Sequence, residues 1–238
     1  MKSSKIYKKN YSGVFFDLGG TLLYPNPIKM GEIFQTIFSS VPKLDEWMRS
    51  IYETTDKVDK LIKTNGTLPQ GWWTVYFSEI ISRLNLPIKP EQKLCEKFCQ
   101  QLADFHQKEN LWSFKTEFAD ELLGELKSEN YILGIISNSD GRVKEQIEQA
   151  GWIKFFDFIL DSHIVGCEKP GNKIFELAFE KSGLSSKQAL FIGDFENVDI
   201  AGAHNVGMDA VLFDPGDLSS GFSGKRITKL FDIKNFLE

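Results

Sequence analysis

The sequence is poor in cysteine and contains neither a disulfide framework nor a zinc-binding pattern. Its 238 residues include three cysteines, Cys95, Cys99 and Cys167, and this odd number indicates reduced thiols. Cys95 and Cys99 lie one helical turn apart, but no further Cys or His pair completes a tetrahedral set of zinc ligands. We therefore interpret both as helix-packing residues.

Long apolar runs and a strong net charge are also missing. No apolar run approaches the roughly 20 residues of a membrane-spanning helix, and the lysine-rich start, MKSSKIYKKNY, lacks the apolar core of a signal peptide. The formal net charge is -5, and acidic and basic residues are interleaved. This pattern predicts no surface for nucleic acid or for an anionic membrane. We expect a cytoplasmic protein.

The sequence does contain a block with a helical pattern, inserted between segments with the pattern of a parallel sheet. Apolar residues recur at helical spacing from residue 28 to residue 106, which predicts four helices. Before and after this block lie short, continuously apolar segments, which are typical of parallel strands covered on both faces. We predict an α/β fold with a doubly wound, mostly parallel, Rossmann-like sheet. Residues 11–24 and 111–238 form this core, and residues 25–110 form an inserted helical domain.

The expected strands of the core are VFF, YILGIIS, FDFILDS, QALFIG and DAVLF. They alternate with helices, one of which we place at residues 198–205. We expect Asp140 and Arg142 to cap and begin the helix after YILGIIS. The segment DPGDLSSGFSGKR, residues 214–226, is interpreted as a flexible loop.

Polar side chains follow consecutive strands of the predicted sheet. Asp17 follows VFF, Ser137 and Asn138 follow YILGII, Lys169 lies in the loop beyond FDFIL, and Asp194 follows QALFI. Ligands of such sheets bind outside the carboxyl ends of the strands. Carboxylates suit a hard cation, while a lysine and a hydroxyl suit anionic oxygens. Each residue alone is typical of an ordinary loop, but together they predict a site for a metal ion and a phosphoryl group.

Four segments in order resemble motifs of the haloacid dehalogenase superfamily of hydrolases: FFDLGGTLL, IISNSD, EKPGNKIF and GDFENVDIAGAHNVGM. The resemblance covers essentially the whole chain from Val14 onward. It implies a phosphatase-like hydrolase that uses Mg²⁺ and acts on a small phosphorylated substrate. It also implies that the inserted helical domain is a mobile cap that closes over the site and selects the substrate.

The resemblance assigns roles to individual residues. Asp17 matches the nucleophile that attacks phosphorus to form an aspartyl-phosphate, which water then hydrolyses. Thr21 matches the threonine that organises the first loop, and Ser137 the residue whose hydroxyl binds a phosphoryl oxygen. Lys169 matches the lysine that neutralises the charge of nucleophile and phosphate. Asn138, next to Ser137, is expected among the substrate-binding residues.

The resemblance also implies a metal site. Asp194 matches the magnesium ligand of the fourth motif, and Asp199 matches the second acidic position, which supports the metal directly or through water. Asp17 is expected to contribute a carboxylate oxygen, and Gly19 its backbone carbonyl oxygen. The implied cofactor is Mg²⁺.

Gly19 is where the sequence departs from the family pattern DxDGT. The second aspartate of that pattern protonates the leaving oxygen and later activates water, and glycine can do neither. Three readings therefore stay open: a magnesium-dependent phosphatase of modest efficiency, a binding or scaffold protein with little or no turnover, and a hydrolase that attacks carbon, as the dehalogenases do. A phosphonatase-like activity would require a Schiff-base lysine in the cap, and no cap lysine can be singled out for it.

Overall fold

The computed structural model describes residues 10–38, 40–66, 70–86 and 89–237. Within them the chain divides into two compact units. One takes in the residues up to Leu23 and those from Lys115 onward, and the other is Tyr24–Phe114. Among the described helices, none is long and apolar enough to cross a membrane.

The strands of the described chain are short. In chain order they are β1 (Gly13–Phe16), β2 (Leu23–Pro25), β3 (Trp112–Lys115), β4 (Ile132–Ser137), β5 (Phe158–Asp161), β6 (Ala189–Gly193), β7 (Asp209–Phe213) and β8 (Lys225–Ile227). The α-helices are α1 (Pro27–Gln35), α2 (Leu44–Asn65), α3 (Trp72–Ser82), α4 (Gln92–Glu109), α5 (Ala119–Ser128), α6 (Val143–Gln149), α7 (Ser162–Val165), α8 (Asn172–Ser182) and α9 (Ala201–Asn205). A π-helical turn, Glu196–Ile200, precedes α9, and a 3₁₀ helix, Leu230–Phe236, lies near the end.

Six strands form one sheet in the order β5-β4-β1-β6-β7-β8, and every neighbouring pair is parallel. Strand β1 is central, with β4 on one side and β6 on the other. Phe16 pairs with both Ile135 and Ile192, so the residues that follow these three strands emerge at the same edge. The predicted α/β fold with a doubly wound parallel sheet is confirmed.

Large apolar side chains fill the space between the sheet and its helices. The rings of Phe15 and Phe158 meet edge to face with centroids 4.9 Å apart, and those of Phe175 and Phe191 do so at 5.4 Å. Gly134 makes room for Phe158, since a Cβ at this position would lie 2.1 Å from the ring. Packing of these rings helps to fix the register of the sheet, because a slip of one residue would turn Phe15, Phe158 and Phe191 to the opposite face and away from these partners.

The unit Tyr24–Phe114 contains the four predicted helices, α1 to α4, packed around aromatic side chains. The indole N–H of Trp73 donates to the carbonyl of Cys99 at 3.1 Å, and the Trp73 ring lies 4.9 Å from the ring of His106. Cys99 is buried, as expected for a packing residue, and its burial raises the pKa of its thiol.

Two local expectations hold in part. Residues 214–224 contain neither helix nor strand, as expected of a loop, but residues 225 and 226 belong to β8. Asp214 accepts hydrogen bonds from the backbone of Leu218 and Ser219 and pairs with Arg226 at 2.7 Å. The helix expected at 198–205 begins as the π-helical turn and continues as α9.

The cap of α6 also differs from the expectation. The side chain of its N-cap residue, Arg142, makes no capping hydrogen bond. Instead the carboxylate of Asp161, at the end of β5, accepts hydrogen bonds from the backbone N–H groups of Gly141 at 3.2 Å and Val143 at 3.1 Å. A partner distant in sequence therefore satisfies the free amides that Asp140 was expected to satisfy.

Candidate active site

The loop after β1 brings Asp17 and Thr21 to the carboxyl edge of the sheet. The loop is tight: the N–H groups of Leu22 and Leu23 both donate to the carbonyl of Leu18 at 2.9 Å. Both Asp17 and Thr21 are buried, and the Thr21 hydroxyl lies 3.4 Å from Oδ1 of Asp194. The loop therefore connects the end of β1 with the end of β6.

Three carboxylates meet at this edge. One oxygen each of Asp17, Asp194 and Asp199 lies within 4.8 Å of the other two. Asp17 follows β1, Asp194 follows β6, and Asp199 lies on the π-helical turn. Such turns often occur at functional sites. The N–H of Phe195 donates to Oδ2 of Asp199 at 2.9 Å, which orients that carboxylate.

Two glycines permit this close approach. Gly20 has a φ of 82°, which glycine adopts at little cost, and a Cβ there would lie 2.0 Å from Oδ2 of Asp194. A Cβ on Gly193 would lie 2.4 Å from Cγ of Asp199. Larger residues at either position would force a carboxylate out of the cluster.

Lys169 joins the cluster as its counter-ion. Its ammonium nitrogen lies 2.6 Å from Oδ1 of Asp17 and 2.7 Å from Oδ1 of Asp199, and its side chain is 2% exposed. Burial by itself would lower the pKa of Lys169, but the charges of Asp17 and Asp199 outweigh burial and raise it. Lys169 is therefore charged at neutral pH.

One lysine does not balance three carboxylates, and the pKa values reflect this. Burial, with repulsion from Asp199, raises the pKa of Asp17 to about 6 even though Lys169 partly offsets both. Burial, with repulsion from Asp17 and Asp199, raises the pKa of Asp194 well above its usual range. The cluster is short of positive charge.

The chemistry of the cluster fits a hard divalent cation. Its donor atoms are carboxylate oxygens, which Mg²⁺ prefers, and a divalent charge would balance the carboxylates that Lys169 leaves uncompensated. Gly19, expected to contribute its carbonyl, lies in the same loop and forms a β-bridge with Leu23.

Ser137 is the last residue of β4, and Asn138 begins the loop beyond it. Ser137 is buried and pairs in the sheet with Asp161. The side-chain amide of Asn138 bonds the backbone of Lys169 on both sides: Nδ2 donates to its carbonyl at 2.8 Å, and Oδ1 accepts from its N–H at 2.9 Å. The loops that carry Ser137 and Lys169 are therefore directly linked.

Three contributors to the site were missed from the sequence: Gly20, Gly193 and Asp161. Asp161 follows FDFIL at a strand end, so the rule that selected Asp17 and Asp194 could have selected it. Its carboxylate is used by backbone amides, including that of His163 at 3.0 Å. Asp161 thus fixes the loops after β4 and β5.

Comparison with known proteins gives a consistent result. The family model for haloacid dehalogenase-like hydrolases matches residues 14–213. Glyceraldehyde 3-phosphate phosphatase of Pyrococcus abyssi is 28% identical over 209 residues, which cover 85% of this chain and 81% of that protein. Rhythmically expressed gene 2 protein of Drosophila melanogaster is 30% identical over 149 residues, but the match spans 60% of this chain and 56% of the relative.

Solved structures share the fold. The magnesium-bound hydrolase YfnB of Bacillus subtilis superposes with a TM-score of 0.62 at 19% identity, covering 96% of this chain and 99% of that one. A phosphatase from Thermococcus onnurineus gives a TM-score of 0.58 at 22% identity, covering 94% and 96%. With the family model matching most of its length, this chain belongs to the haloacid dehalogenase-like hydrolases.

Proposed function

We propose that this hydrolase is a Mg²⁺-dependent phosphatase that acts on a small phosphorylated substrate through an aspartyl-phosphate on Asp17. The observation that carries the proposal is the buried cluster in which Lys169 contacts Asp17 and Asp199 beside Asp194. The relatives support the same chemistry, because the 28% identical protein of Pyrococcus abyssi is named a phosphatase of a small sugar phosphate. The helical unit, Tyr24–Phe114, is the part of the chain that we expect to select the substrate.

In the first step a carboxylate oxygen of Asp17 attacks phosphorus, and the bond from phosphorus to the leaving oxygen breaks. Lys169 and the Ser137 hydroxyl would hold the phosphoryl oxygens, since phosphoryl transfer depends on positioning and charge neutralisation. When bound, Mg²⁺ would balance the negative charge of Asp17, Asp194 and the phosphate. In the second step water attacks the aspartyl-phosphate, which releases phosphate and restores the carboxylate.

Gly19 limits both steps. Loss of a general acid and base costs ~10²- to 10⁴-fold in rate, or about 3 to 5 kcal/mol of activation free energy. An aryl or acyl phosphate is least affected in the first step, because its leaving group departs without a proton. We therefore expect these substrates to be preferred over alkyl phosphates.

The same glycine is the observation that favours a second candidate, a binding or scaffold protein with little or no turnover. The two candidate functions differ in how phosphate release should respond when Gly19→Asp restores the missing acid. We expect wild type to release phosphate from para-nitrophenyl phosphate only with Mg²⁺, and Gly19→Asp to gain activity on alkyl phosphates. Gly19→Asn is the matched control, because it adds a side chain of the same size without an acid. Silence of both wild type and Gly19→Asp, with Mg²⁺ still bound, would support the scaffold.

A further inference from the structure

The side chain of Asn138 makes a two-point connection to Lys169. Nδ2 donates to the Lys169 carbonyl at 2.8 Å, and Oδ1 accepts from the Lys169 N–H at 2.9 Å. A side-chain amide has one donor end and one acceptor end, and both are used by the same residue. A contact of this kind fixes the Lys169 backbone in orientation as well as in distance.

The hydrogen bonds of the sheet do not fix the Lys169 backbone. Lys169 is in the segment between α7 and α8, so neither its N–H nor its carbonyl takes part in a strand ladder. Its side chain reaches through four carbons to the ammonium that lies 2.6 Å from Asp17 and 2.7 Å from Asp199. A lysine side chain has many rotamers, so its ammonium can reach many positions. Fixing the backbone from which the side chain starts narrows that range.

We propose that Asn138 is a positioning residue, which holds Lys169 so that its ammonium lies between Asp17 and Asp199. Both ends of the Asn138 side-chain amide then bond the Lys169 backbone. We propose this role in place of the substrate contact that was expected from the sequence. The inference deepens the proposed function and rests on it for its kinetic test.

A second connection between the same loops provides a matched control. The Ser162 hydroxyl accepts from the N–H of Ser139 at 3.0 Å and lies 3.3 Å from its carbonyl oxygen. Like Asn138, Ser162 therefore joins the loop after β4 to the segment after β5. It begins α7, however, whereas Lys169 lies beyond the end of that helix, and the hydrogen bonds of the Ser162 hydroxyl are to the backbone of Ser139.

The kinetic test compares wild type, Asn138→Ala, Asn138→Asp and Ser162→Ala with para-nitrophenyl phosphate and Mg²⁺. A misplacement of about 1 Å in a catalytic group can cost ~10²-fold in rate. We expect a loss of that order in kcat for Asn138→Ala, with KM changed little. Asn138→Asp should lose as much, because its second oxygen would face the Lys169 carbonyl and repel it. Ser162→Ala should keep the kcat of wild type. We expect this even if its Tm falls by as much as the Tm of Asn138→Ala.

Two kinetic results would overturn the inference. An unchanged kcat in Asn138→Ala would show that Lys169 needs no such support. A raised KM with kcat retained would return Asn138 to substrate binding. Asn138→Gln keeps both hydrogen-bonding ends, and we expect it to recover part of the kcat lost in Asn138→Ala.

A crystal structure of Asn138→Ala separates this inference from the proposed function. We expect the ammonium of Lys169 to leave at least one of Asp17 and Asp199. That displacement would support the positioning role even if wild type turned nothing over. An ammonium that stays against both carboxylates would refute the role whatever the activity.

Discussion

At the scale of single residues, the site depends on the absence of side chains as much as on the acids themselves. Gly193 ends β6, and a Cβ there would lie 2.4 Å from Cγ of Asp199. That carboxylate is 1% exposed and contacts Lys169, so it has little room to withdraw. The glycine therefore allows Asp199 to pack against the backbone of the central sheet.

We predict that Gly193→Ala displaces Asp199 and weakens Mg²⁺ binding at least tenfold, as measured by calorimetric titration. Overpacking of a buried site costs about 1 to 3 kcal/mol of unfolding free energy, and urea denaturation should detect this. Gly124→Ala is the control. Gly124 lies within α5 with nothing within 4 Å of its added Cβ, so alanine there should stabilise by about 0.5 to 1 kcal/mol. Tight Mg²⁺ binding by Gly193→Ala would contradict the packing argument.

The raised pKa values of the acids predict how stability depends on pH. The pKa of Asp17 is about 6 in the folded protein and about 4 when unfolded. The folded state therefore binds more protons across this window, and stability falls as pH rises from about 4 to about 6. Asp194, whose pKa is also raised, adds to the loss.

Without metal, we therefore expect the Tm to be higher at about pH 5 than at about pH 7.5, and excess Mg²⁺ to raise it most at the higher pH. Asp194→Asn should flatten the metal-free profile, because it removes one of the repelling charges. Asp104→Asn, a change on the exposed surface of α4, should leave the profile unchanged. A metal-free Tm that rises steadily over this range would contradict the assignment of a strained acidic cluster.

At the scale of secondary structure elements, side chains from one strand end organise the next loop. Asp161, at the end of β5, caps α6 through the N–H groups of Gly141 and Val143 and also accepts from His163. The loop after β4 is thus held at its helical end by Asp161, while Asn138 connects its other end to Lys169.

Asp161→Ala should destabilise the protein by about 0.5 to 2 kcal/mol, the usual cost of losing a helix cap. The nearby Asp140→Ala is the control. Asp140 is exposed and pairs with Arg142 at 2.6 Å, and such surface pairs contribute about 0 to 1 kcal/mol. Urea denaturation of both variants checks the difference. Equal losses would show that Asp161 does not act as the cap.

Short elements without a clear apolar run mark the limit of prediction at this scale. Strands such as β4 and β6 are continuously apolar and could be read from the sequence. Strands β1 and β5, with four residues each, also carry apolar runs, but β2 ends in a proline, and β3 and β8 mix polar with apolar residues. Their structure comes from their partners: β2 pairs with β3, and β8 with β7.

At the scale of the whole molecule, the fold follows from the alternation of apolar strands and helices, and that alternation by itself predicts Asp17, Ser137 and Asp194 at one edge of the sheet. What the sequence could not show were contacts between distant segments. Gly20 packs against Asp194, and Asn138 binds the backbone of Lys169. Such contacts depend on how separate loops meet, and no local pattern encodes them.

The proposed mechanism of this hydrolase requires that Asp17 becomes phosphorylated. Because Gly19 cannot activate water, the second step should be slow, and the aspartyl-phosphate should accumulate when an aryl phosphate is supplied with Mg²⁺. The most direct measurement is acid quenching during turnover, followed by mass spectrometry of the peptide that contains Asp17. We expect one added phosphoryl group on Asp17 in wild type and none in Asp17→Asn. Turnover with no phosphoryl group on Asp17, or with one on another residue, would contradict the proposed mechanism.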